Sequence, residues 1–266
     1  MDRSKIFIPF VILISLLLIL PMFTLLYVGS KYLVRALTSS VFIESMFVTV
    51  LGASIAAALD LVLGAPTAYA ISRGLMPKPV DRIVDSVLLS PLTIPHTIVG
   101  LSLLILVSPI SPIPIIRRLP LVDTIWGLVA AYFVVSAPIA VGAIRQVFNE
   151  LDPTYEYVGL TFGLSWWGVF IRVIIPMTYR ELLTSFLMAW GRSISEFGSI
   201  AILAYYVVNP PFFNYVYPLP ILIWYSYEVY GLSLALGYAS ASLIISIITL
   251  VLIGVLSGGK MLITRP

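Results

Sequence analysis

Six long apolar runs constrain the fold of this chain more than any other feature of its sequence. A helix needs about 20 apolar residues to cross the hydrocarbon core of a bilayer. The runs cover 6–28, 44–71, 83–107, 124–147, 180–204 and 231–256. Only 10% of the 266 residues are charged, whereas an ordinary soluble domain has about 25%. The sequence therefore predicts an all-α membrane protein with six transmembrane helices.

The basic residues indicate the orientation, because cytoplasmic loops accumulate Lys and Arg. With the N-terminus inside, the inner side holds Arg3, Lys5, Arg73, Lys78, Arg82, Arg145, Arg172, Arg180, Lys260 and Arg265. The outer side then holds Lys31, Arg35, Arg117 and Arg118. We expect a multi-pass protein with both termini in the cytoplasm. The basic residues occur in ones and twos between apolar runs, so we expect no nucleic-acid partner.

The chain shows no sequence repeat and no low-complexity linker, which predicts a single integral membrane domain over 1–266. Prolines are frequent at or near membrane depth, at Pro66, Pro91, Pro95, Pro109, Pro112, Pro114 and Pro138. Each removes an amide donor, and lipid tolerates this only where protein or water satisfies the backbone. Broken helices of this kind are typical of a translocation pathway, although kinks in a packed bundle would give the same pattern.

A charged segment at about 150–176 interrupts the apolar runs on the predicted cytoplasmic side. Asp152 can cap a helix that begins at Pro153, a favoured first-turn residue. Tyr157, Leu160 and Leu164 recur at helical spacing, and Gly163 allows the backbone to turn. The pattern predicts a short amphipathic helix at about 153–165. Trp166 and Trp167 leave open that this helix is only an interfacial anchor.

The same segment resembles the cytoplasmic signature of permease subunits of ATP-binding-cassette (ABC) importers. That signature reads Glu-Ala-Ala, three residues, Gly, nine residues, then Ile-x-Leu-Pro. With Gly163 as the signature Gly, the Ile, Leu and Pro positions hold Val173, Ile175 and Pro176. Glu-Ala-Ala falls on 157–159, with Glu156 one residue early. The resemblance implies that a coupling helix contacts the ATPase, through Glu156, Tyr157, Gly159, Gly163 and Pro176.

Two further stretches are similar to the molybdate, tungstate and sulfate branch of these permeases, and the resemblance extends over about 40–256. Residues 91–106 are similar to a Pro-Pro-x-x-x-Gly-x-x-Leu-Leu motif, with His96 on the second Pro. Residues 191–203 are similar to a Ser-x-Gly-Glu-Phe-Gly motif, with Ser195 on the Gly. The resemblance places a translocation path or gate here, for which the candidate residues are Pro91, Pro95, His96, Gly100, Arg192, Ser195 and Glu196.

The resemblance also implies the partners. A type I ABC importer permease of this kind forms a homodimer in the prokaryotic plasma membrane, where it works with two ATPase subunits and an extracytoplasmic oxyanion-binding protein. The sequence has no Gly-Lys-Ser/Thr phosphate loop, so we expect no enzyme activity and no cofactor in this chain, with ATP and Mg bound by the partner. The expected substrate is molybdate or tungstate, taken up by alternating access. Sulfate or thiosulfate is the alternative.

Three ionisable residues leave a different class of function open. Arg192 and Glu196, spaced i, i+4, can neutralise each other beside a pathway or simply join helices. Asp60 is a carboxylate in the second run that could bind a proton or a cation, or be satisfied by a nearby hydroxyl or by Arg192 of another helix. An ion-coupled secondary carrier would use Asp60 and Glu196, and a purely structural subunit would transport nothing. His96 is the only histidine, so we expect no metal site.

The Tyr- and Pro-rich segment 205–229 lies outside in this topology and has almost no charge. Aromatic residues of this kind form belts at membrane interfaces. They are also enriched where proteins bind each other. The segment is therefore predicted either to lie at the membrane surface or to help dock the extracytoplasmic binding protein.

Overall fold

The computed structural model describes residues 4–256. The helices are α1 (Ser4–Leu37), α2 (Ser40–Ser72), α3 (Lys78–Thr93), α4 (His96–Val107), α5 (Ile125–Glu150), α6 (Thr154–Thr161), α7 (Trp166–Val169), α8 (Ile175–Met177), α9 (Tyr179–Ile194), α10 (Ile200–Leu203), α11 (Leu219–Tyr230) and α12 (Leu232–Leu256). A 3₁₀ turn covers Ile116–Arg118 and a π-helical turn covers Phe170–Ile174. Arg3, Lys260 and Arg265, on which part of the predicted orientation rests, lie outside the described residues.

Within residues 4–256, four helices are long and apolar enough to cross a membrane without a break, namely α1, α2, α5 and α12. The third predicted span is divided into α3 and α4, which meet at an angle of 114°. The fifth predicted span is α9, followed by a break at 195–199 and the short helix α10. All six apolar runs thus coincide with helices, but two of the spans are broken.

The prolines do not all break helices. Pro66, Pro91 and Pro138 lie inside α2, α3 and α5, whereas Pro95 immediately precedes α4. A proline inside a helix removes one hydrogen bond, which neighbouring helices can compensate for. Proline therefore marks one of the two breaks, the one between α3 and α4. The break at 195–199 contains no proline.

Helices α2, α5 and α9 form the centre of the bundle. The buried face of α2 consists largely of small residues, including Ala53, Ala56 and Ala57. Small side chains let helix backbones approach closely, which is how helices associate in membranes. A Cβ on Gly52 would lie 2.9 Å from Leu128 Cδ2 of α5, so this position has no room for a side chain. Helices α1 and α12 pack against each other beside this centre.

The two ends of α5 belong to different parts of the molecule. Near its start, Ile125 and Leu128 share a core cluster with Val207 and Phe213. Near its end, Ile144 and Phe148 share a cluster with the segment that follows α7. The segment at 205–217 and the segment at 150–178 therefore lie at opposite ends of the bundle, as the predicted topology requires.

The segment after α10 contains a short antiparallel hairpin that the sequence did not predict. Its strands are β1 (Val207–Asn209) and β2 (Phe213–Val216). The Asn209 Oδ1 accepts a hydrogen bond of 2.7 Å from the Ile125 amide at the start of α5. The hairpin thereby caps the end of a spanning helix whose first amides have no partner within the helix.

Candidate functional site

The short helix α6 is the centre of the predicted coupling segment. It begins at Thr154, whose amide donates a 2.8 Å hydrogen bond to the Asp152 carboxylate. This hydrogen bond holds the pKa of Asp152 below its usual range. The helix ends at Thr161, and Gly163 follows with φ of +81°. The observed helix is shorter than the predicted 153–165 because the backbone turns at Gly163.

The two faces of α6 have different surroundings. Glu156 and Gly159 are buried on one face, and a Cβ on Gly159 would lie 2.9 Å from Val169 Cγ2. Gly159 therefore lets α6 pack closely on α7. The other face exposes large apolar side chains, Tyr155, Tyr157, Val158 and Phe162. A short helix that packs against the bundle with one face and exposes aromatic residues on the other is suited to binding a partner.

The Glu156 carboxylate binds other side chains of this chain. Its Oε1 accepts from Arg73 Nε at 2.6 Å, and its Oε2 accepts from the Tyr69 hydroxyl at 2.9 Å. Arg73 Nη2 also donates to the Leu151 carbonyl at 3.0 Å. Tyr157, which occupies the signature Glu position, is exposed instead. The sequence reading missed Arg73 and Tyr69 because they lie more than 80 residues before Glu156.

Pro176 lies further along the segment. It is exposed in α8, after the π-helical turn, and α9 begins three residues later at Tyr179. The proline therefore follows an irregular turn and precedes the new helix, as the pattern predicted. It does not lie on α6 with Glu156, Tyr157 and Gly159.

The predicted path residues meet where the two broken spans touch. Arg192 Nη2 lies 2.8 Å from Glu196 Oε2 and within 3.1 Å of both ring nitrogens of His96. His96 Nδ1 is 3.0 Å from the same carboxylate oxygen. Arg192 Nη1 is 3.4 Å from the Ser195 hydroxyl. We call His96, Arg192, Ser195 and Glu196 the break cluster.

The carboxylate of Glu196 is the buried centre of this cluster. Its side chain is 0% exposed, while those of Arg192 and His96 are 19% and 36% exposed. Its Oε1 accepts from the Ser199 amide at 2.8 Å and from the Ser199 hydroxyl at 2.9 Å. A buried carboxylate is tolerated only when it is paired and hydrogen-bonded. Glu196 meets both conditions, because it is paired with Arg192 and hydrogen-bonded to Ser199. The His96 imidazole lies beside the same carboxylate.

Two glycines allow the broken spans to touch. A Cβ on Gly198 would lie 2.9 Å from the His96 Cβ, and one on Gly100 would lie 2.8 Å from the Ser199 Cα. Each position therefore brings α4 against the 195–199 break without room for a side chain. Pro95 is exposed at the start of α4, and Pro91 lies inside α3, on the other side of the break between them.

Asp60 does not belong to the break cluster. It is buried in α2, where its Oδ2 accepts a hydrogen bond from the Ser136 hydroxyl of α5. Among residues 4–256, no hydrogen bond or ion pair joins Asp60 to Arg192 or Glu196. A hydroxyl thus satisfies part of this carboxylate, which was one of the alternatives from the sequence.

Other possible chemistry is limited in the part of the chain that the structure describes. No group of three or more His, Cys, Asp or Glu side chains there could hold a metal ion. The segment 205–229 forms a connected set of aromatic rings, and the Trp224 ring lies 6.0 Å from that of Phe197, the residue after Glu196. Tyr205 lies 6.4 Å from the same Trp224 ring. The aromatic segment therefore contacts the residue next to the break cluster.

Comparison with known proteins agrees with these features. A family model described as "binding-protein-dependent transport system inner membrane component" matches residues 61–259. A solved structure, that of a bacterial alginate ABC transporter in complex with an alginate pentasaccharide-bound periplasmic protein, is similar with a TM-score of 0.68. The likeness covers 98% of this chain and 96% of that chain at 15% identity. The predicted type I permease fold is thereby confirmed.

Curated relatives are more similar in sequence. The molybdate/tungstate transport system permease protein WtpB of Thermococcus kodakarensis is 34% identical over 178 residues, which is 66% of each chain. The WtpB protein of Methanocaldococcus jannaschii is 30% identical over 238 residues, which is 90% of each chain. A probable sulfate transport system permease protein, cysT of Zygnema circumcarinatum, is 27% identical over 234 residues, which is 87% of this chain and 79% of that protein.

The family match spans residues 61–259, a range that includes both the coupling segment and the break cluster. The structure shows a mostly helical bundle with the short helix that the signature predicts. The chain therefore belongs to the family of binding-protein-dependent transport system inner membrane components, as an ABC importer permease of the molybdate/tungstate branch.

Proposed function

We propose that this chain forms the membrane path of an ATP-driven importer for an oxyanion, molybdate or tungstate. The single observation that carries the proposal is helix α6, which is fixed to the bundle by Glu156 and Gly159 and exposes an aromatic face. Relatives named for molybdate and tungstate support the substrate. Sulfate is the second candidate, because the chain is also similar to probable sulfate permeases.

The exposed face of α6 would dock into the ATPase subunit. Tyr157 and Phe162 would make the contact, while Glu156 and Gly159 hold α6 in place and Gly163 and Pro176 shape the connections around it. ATP and Mg would bind to the ATPase alone. Two copies of this chain would enclose one path, with one ATPase below each copy and an extracytoplasmic oxyanion-binding protein on the other side. The chain would form one domain in the plasma membrane, with both termini in the cytoplasm.

The break cluster would lie beside the path. Arg192 and His96 are partly exposed and present nitrogen donors, which suit a doubly charged oxyanion. Glu196 neutralises Arg192, so the resting path would not trap an anion permanently. Pro95, Gly100 and Ser195 would shape the two breaks, and Pro91 would kink α3 beside them. Movement of the breaks against each other would open the path to one side at a time.

Reconstitution into liposomes tests this function. The complex would contain this chain, an ATPase subunit and a binding protein from the same operon, and ATP hydrolysis would be measured with the binding protein loaded with molybdate, tungstate or sulfate. We expect stimulation by molybdate or tungstate, and its loss when Tyr157 and Phe162 are both changed to Ala. An assembled complex that none of the three anions stimulates would exclude the oxyanion assignment.

A further inference from the structure

Arg73 stands at the end of α2, where sequence analysis assigned it only to membrane orientation. It directly follows the last helical residue, Ser72, and the chain then turns at Gly74 with φ of +60°. Its side chain is only 12% exposed. Arginine is almost never buried unless it is paired. The burial of Arg73 therefore requires an explanation beyond the topology of the chain.

One guanidinium group binds both α6 and the turn that precedes it. Arg73 Nε donates to the Glu156 carboxylate at 2.6 Å, and Nη2 donates to the Leu151 carbonyl at 3.0 Å. Glu156 lies in α6, and Leu151 directly follows α5, before α6 begins. The planar guanidinium fixes the directions of both bonds. Helix α6 therefore cannot rotate or slide relative to α2 without breaking at least one of them.

The residues around the Arg73–Glu156 ion pair strengthen it. The Tyr69 hydroxyl gives the Glu156 carboxylate a second hydrogen bond. The Tyr69 ring lies 5.8 Å from that of Phe148 and 5.1 Å from that of Phe170. Glu156 itself is only 6% exposed. In an environment with little water, separating the two charges costs much more than at an exposed surface.

The connection continues along α2 to the break cluster. Ser54 of α2 accepts a 3.1 Å hydrogen bond from the Trp190 indole of α9. Trp190 lies two residues before Arg192. The α2 helix is continuous from Ser40 to Ser72, so about 28 Å of helix separates Ser54 from Arg73 at 1.5 Å per residue. One helix, continuous through Pro66, thus contacts α6 at one end and the helix that carries Arg192 at its middle.

We propose that Arg73 is a positioning residue that locks the coupling helix α6 to α2. Displacement of α6 by the ATPase then moves α2 as a unit, and α2 moves α9 and the break cluster. Glu156 contributes to coupling as the internal partner of Arg73, while Tyr157 faces the ATPase. This inference rests on the proposed function of the chain as an ATP-driven importer.

The test uses the full complex in liposomes, with the anion among molybdate, tungstate and sulfate that stimulates the wild type. The measured quantity is anion transported per ATP hydrolysed. Arg73→Lys keeps the charge but cannot bind Glu156 and Leu151 together, so we expect the ratio to fall between about twofold and about thirtyfold. Basal ATP hydrolysis and assembly with the ATPase should remain. In the pair Arg73→Glu and Glu156→Arg, each change alone should lower the ratio. Both together should restore part of it, because the ion pair is regained whereas a carboxylate at position 73 cannot donate to the Leu151 carbonyl.

Arg145→Glu serves as the matched control, because Arg145 forms an ion pair with Asp85 in which both side chains are 36% exposed. We expect this variant to keep the wild-type ratio. If Arg73→Lys, Arg73→Glu and Glu156→Arg all keep the wild-type ratio, this inference is wrong and the proposed function still stands. A parallel fall of transport, basal hydrolysis and thermal stability would also overturn this inference, since that indicates a purely structural contact. A wild-type complex that no anion stimulates would overturn the proposed function and this inference with it.

Discussion

At the scale of single residues, Gly163 shows how one backbone angle can control a larger unit. Its φ of +81° is in the left-handed region, and a Cβ there would meet no atom within 4 Å. The glycine is therefore needed for its backbone and not for close packing. For residues other than glycine this conformation costs about 1–2 kcal/mol, and the cost is lower for Asn than for most.

The matched substitutions Gly163→Ala and Gly163→Asn separate these effects. We expect Gly163→Ala to disturb the end of α6 and to lower the anion-stimulated ATPase activity of the assembled complex severalfold. Gly163→Asn should retain more of it, because Asn tolerates the same angle. Equal activity of the two variants would show that the turn does not depend on this angle.

The buried carboxylate in the break cluster makes a second prediction at this scale. Arg192→Gln leaves Glu196, which is 0% exposed, without its charged partner. Breaking a buried ion pair from one side costs about 3–5 kcal/mol. We expect thermal unfolding of the purified protein in detergent to occur at a clearly lower temperature. The double variant Arg192→Gln with Glu196→Gln should recover most of the loss, and a double variant as unstable as the single one would contradict the charge argument.

At the scale of elements, the sequence predicted the helices well and their interruptions poorly. The runs at 44–71 and 124–147 correspond closely to α2 (Ser40–Ser72) and α5 (Ile125–Glu150), because hydropathy over 20 residues is a strong local signal. The break after Ile194, the hairpin and α11 were not predicted, because they depend on contacts with distant elements. The Arg73–Glu156 pair was missed for the same reason, whereas the i, i+4 pair Arg192–Glu196 was visible from spacing alone.

Gly100 gives a prediction about the contact between two elements. Gly100→Ala would place a Cβ 2.8 Å from the Ser199 Cα. Because the Ser199 Cα is a backbone atom, the helix α4 itself must shift. Overpacking of this kind costs about 1–3 kcal/mol. We expect lower thermal stability and altered transport.

The control is Gly142→Ala, since Gly142 is exposed in α5 and its Cβ would meet nothing within 4 Å. Alanine favours a helix over glycine by about 1 kcal/mol, so this variant should be at least as stable as the wild type. A Gly100→Ala protein as stable as Gly142→Ala would show that α4 can move away from the break without cost.

At the scale of the whole molecule, the proposed ATP-driven importer and an ion-coupled carrier make different demands on the buried carboxylates. Asp60 is bound to Ser136, and Glu196 is bound to Arg192, His96 and Ser199. A proton-coupled carrier would require a carboxylate that can release and take up a proton during transport. We expect oxyanion uptake by the reconstituted complex to require ATP and to persist when an uncoupler removes the proton gradient. Uptake by this chain alone that stops with the uncoupler would support the carrier instead.

The contact between His96 and Arg192 also has a consequence for how the protein is made. The two residues are 96 positions apart in the chain, and a ribosome completes α4 well before it reaches the charged end of α9. His96 is therefore synthesised well before Arg192 and Glu196. When those two residues are added, they can bind the imidazole as well as each other.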